Sequence, residues 1–252
     1  MHEQIIKEVR KKVKVSEKQI NVVLGLLEEG NTIPFIARYR KEQTGGLDEE
    51  EINEIYQLWS YEKNLLERKE DVIRLIDERG MLTDELKLSI LNATKLVEVE
   101  DLYRPFKEKR KTRATEAIKK GLEPFANWLL TYPNIDVLEE ANKYLNEDVK
   151  TAEDAINGAK DIIAEIVSDN AEYRKALRFI MFSEGEVVTT LRKNAEDPKK
   201  TYSIYYDYNE RVSKIPPHRT LAINRAEKEK VINVKITVND ERLVNYLINK
   251  FV

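Results

Sequence analysis

A chain of 252 residues with 43 Lys and Arg against 46 Asp and Glu has a net charge of −3, which excludes a globally basic protein that coats nucleic acid. It has no Cys, so disulfides, thiolate-ligated zinc, iron–sulfur clusters and Cys nucleophiles are excluded, and two histidines, His2 and His218, build no HExxH or His-rich metal site. Only 8 Gly and 7 Pro are present, so long regular elements are expected rather than a turn-rich β-sandwich.

In chain order, Ile5, Ile6, Val9 and Val13 recur at helical spacing. Ser16, with Gln19 three positions on, forms a capping box that opens a second helix carrying Ile20, Val23, Leu24 and Leu27, and Gly30 stops it. Thr32 and Pro34 start a short third helix, TIPFIARYRK. Two short helices, a tight turn and a third make a helix-turn-helix-like unit, although many bundles share that outline. Asp48 and Glu51 then cap a long helix reaching about Arg79, with Gly80 as its stop. Its length predicts a spine on which the other helices lean.

Thr83 opens the next helix, and a segment from Lys95 to Tyr103 is halted by Pro105. Short helices are expected near Thr112, Glu123 and Asp136, and a strong one from Thr151 that resumes after Asn170. Composition shifts near Gly185. EVVTTLRK (186–193) has a β-branched run, and VINVKITV (231–238) alternates and is the clearest strand. Asp197-Pro198 reads as a helix start, KIPPHRTLAINRAEKEK as a proline-initiated helix, and Asn239 as the cap of a last helix. The expected fold is mainly α: a multi-helical bundle with that helix-turn-helix-like N-terminal unit, plus a small α+β segment with one or two strands near the C-terminus. The expected division is 1–190, helical, and 191–252, a short α+β extension.

No Walker loop or GxGxxG fingerprint occurs. The N-terminus is charged every few residues and lacks the apolar centre of a signal peptide. The longest apolar uncharged stretch, 124–135, is far shorter than the ~20 residues that span a bilayer. A soluble cytoplasmic protein without cofactor, metal or catalytic residues is expected.

The sharpest functional feature is RPFKEKRKTR (104–113). Arg104, Lys107, Lys109, Arg110, Lys111 and Arg113 face a single acid, Glu108, in an otherwise acidic chain. Such a concentration is costly in self-repulsion unless an anion binds there or acidic neighbours balance it. Nucleic-acid phosphate is the obvious anion, with Tyr103 and Phe106 as stacking faces. The competing reading, which charge runs usually satisfy, is a solvated loop paired with surplus carboxylates. Arg38, Arg40 and Lys41 form a second cationic group. Arginines two apart on a helix point to different sides, which favours a structural tie from Arg38 or Arg40 to acids on the spine over phosphate contact. His218 lacks a nucleophile and carboxylate at any motif spacing, so packing or capping is expected of it. The tyrosines of YSIYYDY (202–208) read as semi-buried packing rather than a stacking platform.

Four segments, TIPFIARYRKEQTGGLDE (32–49), VEDLYRPFKEKRKTRATEAIKKGLEPFA (99–126), NGAKDIIAEIV (157–167) and IPPHRTLAINRAEKE (215–229), together resemble the N-terminal region of the bacterial Tex transcription accessory proteins. The strings IPFIARYRKE, TGGLD and the basic run are long and specific, and they occur in the same order. The resemblance implies a helical, non-catalytic nucleic-acid-binding or scaffold module in transcription. It also implies a YqgF-like domain, helix-hairpin-helix units and an OB-fold RNA-binding domain further along, which this chain lacks; a fragment, a truncated product or a split form is therefore expected. Architecture related to a eukaryotic elongation factor makes RNA polymerase a candidate protein partner beside RNA or DNA. The resemblance places Arg104 and Lys107 through Arg113 on the family's basic string and raises the phosphate reading above the solvated-loop one.

Overall fold

The structure is a computed structural model that describes residues 2–108 and 111–251. The chain forms two compact units, one ending at Tyr103 and one beginning at Arg104. The first is entirely helical: α1 (His2–Lys12), α2 (Glu17–Glu28), α3 (Ile33–Tyr39), α4 (Lys41–Thr44), α5 (Glu49–Asp77), α6 (Asp84–Asn92) and α7 (Leu96–Tyr103). The predicted spine is α5, whose 29 residues extend about 43 Å. Asp48 starts it with the expected capping box: its side chain accepts from the Glu51 N–H at 2.8 Å, and Glu51 accepts from the Asp48 N–H at 3.0 Å. Helices α1, α2 and α3 pack against α5, and α7 lies along it further on. Their apolar stripes meet in one core around Ile6, Val9, Ile20, Val23, Ile36, Ile52 and Ile55. Ser16 and Gln19 complete their box at the start of α2. Thr32 precedes α3 without a side-chain capping bond, so proline geometry rather than a cap sets that helix start.

The second unit begins with α8 (Arg113–Lys119), α9 (Glu123–Leu129), α10 (Val137–Ala141), α11 (Ala152–Asp169) and α12 (Ala171–Glu184). Helix α11 is its centre and packs on α8, α9 and α10 through Ala155, Ala159 and Ile162, against Leu122, Phe125 and Val149. The approach is close. A Cβ placed on Gly158 would lie 2.3 Å from Leu122 Cδ1, so any larger residue there must displace the Leu122 side chain.

Helix gives way to strand at Glu186. β1 (Glu186–Leu191) is flanked by β2 (Asp207–Arg211) and β3 (Ile232–Thr237) in an antiparallel sheet of order β2-β1-β3, with Val188 opposite Asn209 and Thr189 opposite Val234. Helix α13 (Pro217–Lys228) packs on β3, and α14 (Asp240–Phe251) follows, with Asn239 accepting from the Glu241 N–H at 2.9 Å. The chain is therefore mainly α with a small C-terminal sheet, as its periodicity predicts. The strand β2, DYNER, has no apolar alternation. It is held as an edge by ladder bonds to β1, so sequence pattern does not reveal it.

Asp197-Pro198 is a correction. No helix starts there; the Asp197 carboxylate instead closes a turn, accepting from the N–H groups of Thr201 and Tyr202, each at 2.8 Å, and from the Tyr206 hydroxyl at 2.9 Å. Burial works to raise the Asp197 pKa, but these donors outweigh it and hold the carboxyl below its usual value. Tyr202 and Tyr205 are buried against Val187, Ile223 and Ile232, with Tyr206 and Tyr208 beside them, so the tyrosine cluster is packing.

Candidate nucleic-acid interface

The basic stretch runs from the end of α7 into α8. Arg104 to Phe106 make a single 3-10 turn, and α8 opens at Thr112, which caps it by accepting from the Thr115 N–H at 3.0 Å. Lys109 and Arg110 lie outside the described residues. The others line a groove of about 450 Å³ whose opposite wall is α11. Arg104, Lys107, Lys111 and Arg113 stand on one side. Asp161, Glu165 and Asp169, spaced four apart on one face of α11, stand on the other.

The two walls interact unevenly. Arg104 donates from Nε to Asp169 Oδ1 at 2.7 Å, and that carboxylate is only 8% exposed. This is a fixed, partly desolvated pair. Arg113 Nε lies 3.5 Å from Asp161 but its side chain is 88% exposed, and Lys111 Nζ reaches Glu116 only at 3.9 Å. Pairs of this kind contribute about 0–1 kcal/mol and are readily exchanged for another anion. Lys107 is exposed and forms no ion pair among the described residues. The groove thus has a carboxylate floor and an exposed, weakly paired cationic rim. Arg104 belongs to the floor's scaffolding, whereas Lys107, Lys111 and Arg113 are rim. Phe106 is half-buried, and Tyr103 is buried beneath the Arg68 guanidinium 5.4 Å from its ring centre, so Tyr103 offers no stacking face and that expectation is corrected. The acid stripe of α11 was missed at the sequence level; its four-residue spacing was the available signal.

The second cationic group also differs from expectation. Neither Arg38 nor Arg40 is tied to an acid of α5 among the described residues. Helix α3 docks through Ile36 and Ala37, which turns Arg38 outward. The helix ends at Tyr39, and Arg40 leaves it at φ −123°, ψ 19°. That break defeats the rule that residues two apart diverge: the Arg40 guanidinium folds back over the Phe35 ring, 5.4 Å from its centre. Phe35 and Tyr39, one helical turn apart, have ring centres 5.1 Å apart at 45°. Neither ring was singled out from sequence. Lys41 is exposed at the start of α4. His218 is exposed in the first turn of α13 rather than packed, since α13 buries Ile223 and Ala226 and turns His218 to solvent.

Residues 3–77 match the Tex-like protein N-terminal domain, and residues 132–250 match the Tex central region-like family. The chain belongs to the Tex family. It is 49% identical over 244 residues to the uncharacterized protein YdcI of Bacillus subtilis, covering 95% of this chain and 34% of that one. It is 40% identical over 218 residues to the transcriptional accessory protein Tex of Neisseria gonorrhoeae, covering 86% and 29%. The human S1 RNA-binding domain-containing protein 1 is 29% identical over 229 residues, covering 86% and 23%. The chain spans about a third of the length of the Tex relatives it matches. The basic stretch falls between the two matched Tex segments, and the α3 patch falls inside the first. Among the described residues, no helix is long and apolar enough to cross a membrane.

Proposed function

We propose that this chain is a non-catalytic nucleic-acid-binding module of a transcription accessory protein, which contacts RNA or DNA phosphates through the rim of the α8–α11 groove. The observation that supports this reading most is the looseness of the rim. Lys107, Lys111 and Arg113 hold their charges in water, paired weakly or not at all among the described residues, so a phosphate gains them at small cost. Lys109 and Arg110 add charge to the same stretch. Arg38, Arg40 and Lys41 supply a second cationic set. Relatives named for transcription and for an S1 RNA-binding domain agree with this role. Binding is weak, independent of sequence, and in the cytoplasm.

A salt series tests it. With ~4 phosphates engaged on a single strand, log affinity falls against log salt with a slope of roughly −3. Neutralising Lys109, Arg110 and Lys111 together flattens the slope; an unchanged slope removes the rim from the interface.

A second reading is favoured by another observation. Phe179, 71% exposed, and Phe182 on α12, with Val244 and Ile248 on α14, leave apolar side chains open to solvent. These suit a protein contact, such as RNA polymerase or other transcription machinery. Co-purification of polymerase that survives nuclease treatment distinguishes this scaffold role from contact bridged by nucleic acid.

A further inference from the structure

Helix α3 presents an aromatic and cationic face away from the core. Phe35, Arg38 and Tyr39 stand at positions i, i+3 and i+4, which places them on one face of the helix. Tyr39 is 66% exposed and Phe35 is 38% exposed. Isolated exposed aromatics are ordinary, but here two rings stand 5.1 Å apart with a guanidinium stacked on one of them. Arg38 and Lys41 flank the rings without an ion pair among the described residues. Glu42, also exposed, is the one acid in the same stretch.

We infer that this face is a base-stacking site for single-stranded nucleic acid, in which the exposed Tyr39 ring, backed by Phe35, takes an unpaired base while Arg38, Arg40 and Lys41 hold the adjoining phosphates. The inference rests on the proposed nucleic-acid role and adds which strand form is recognised and by what chemistry. An aromatic face next to cations matches the two parts of a nucleotide, whereas a carboxylate-rich protein segment would use the cations and leave the rings in water. A duplex keeps its bases stacked internally and gives Tyr39 nothing to bind. Every base has a π-face, so recognition is tolerant of sequence. The break at Arg40 builds the site: a continuous helix would carry that guanidinium away from Phe35.

The test titrates the full chain by fluorescence anisotropy with three probes. These are a labelled single strand of about ten nucleotides, an abasic strand of equal length and charge, and a duplex of the same sequence. Tyr39→Ala is expected to weaken the base-bearing single strand roughly ten-fold and to leave the abasic strand and the duplex unchanged. Tyr39→Phe retains parental affinity, and Tyr39→Leu, which keeps bulk without the aromatic face, behaves as Tyr39→Ala. Equal loss on the base-bearing and abasic strands, or no loss on either, overturns the stacking site. Loss of the native thermal transition in both Tyr39→Ala and Tyr39→Leu makes Tyr39 a structural residue and also overturns it. A chain in which neutralising the rim still weakens all three probes, while the Tyr39 variants bind as the parent, retains the nucleic-acid role without this site. A parent that binds none of the probes refutes both.

Discussion

The basic stretch at 104–113 and the α3 patch reverse their ranking between sequence and structure. The first has six cations in ten residues, but its described members stand opposite Asp161, Glu165 and Asp169. The second has only three cations, yet none is paired with an acid among the described residues and one lies on an aromatic ring. Charge density along the chain therefore does not measure charge presented to a ligand. What counts is whether a neighbouring element returns the opposite charge, and α11 does so for one segment while α3's surroundings leave the other open. The rim nonetheless keeps tips that reach outward, so under the proposed role the two regions would divide the work: a salt-sensitive phosphate contact and a base contact.

Two aromatic clusters give the largest expected contrast. Phe125 is fully buried and stacks with Trp128 at 5.9 Å and with Tyr144 at 4.9 Å, centre to centre. Phe125→Ala should cost about 3–5 kcal/mol of stability. Tyr39→Ala, at a ring mostly in water, should cost less than about 1 kcal/mol. Urea denaturation of both variants checks this. If the two costs come out alike, Tyr39 is part of the core and the distinction between displayed and packed rings fails.

Much of the frame was legible in the sequence, because capping boxes and apolar periodicity are local. Ser16 with Gln19, Asp48 with Glu51 and Thr151 with Asp154 each mark a helix start within three residues. What escaped depends on residues distant in the chain. β2 exists because β1 pairs with it, and the turn that Asp197 closes on the Thr201 and Tyr202 N–H groups is joined by the Tyr206 hydroxyl nine residues on. The site was legible only as charge. That Arg104 is spent on Asp169, 65 positions away, and that Arg40 folds onto Phe35 at a helix break, are facts of packing that no spacing rule along the chain encodes.

A smaller effect separates rim from scaffold within one segment. Arg104→Ala leaves the buried Asp169 carboxylate without its 2.7 Å donor, and about 1–2 kcal/mol of stability should be lost. The salt slope of binding should not change, because that guanidinium is already committed to a protein acid. Arg113→Ala should do the opposite: stability within about 0.5 kcal/mol of the parent and a slope flatter by about 0.7 on a single strand. Exchanged outcomes would mean that the Arg104 pair opens for phosphate and that the floor is not fixed.

The least change is expected from the floor itself, and its sign is the informative part. Asp161 holds Arg113 at 3.5 Å and is the carboxylate nearest to an exposed rim tip. While that pairing lasts, a phosphate must compete with Asp161 for the guanidinium and also approach its negative charge. Asp161→Asn keeps the side chain's size and removes the charge. The pair it dissolves is nearly all solvent on the arginine side, so stability should move by no more than about 0.5 kcal/mol. Affinity for single-stranded RNA at low salt should rise about two- to four-fold, with a slope steeper by a fraction of a unit, as one cation is freed. The gain should vanish at high salt, where screening already weakens both the pair and the competition. Removing a carboxylate favours a polyanion only within about a Debye length, roughly 10 Å at 0.1 M salt, so a gain that persists at that ionic strength places phosphate close to Asp161. Unaltered affinity at every ionic strength would place the polyanion away from this groove and leave α3 as the nucleic-acid contact.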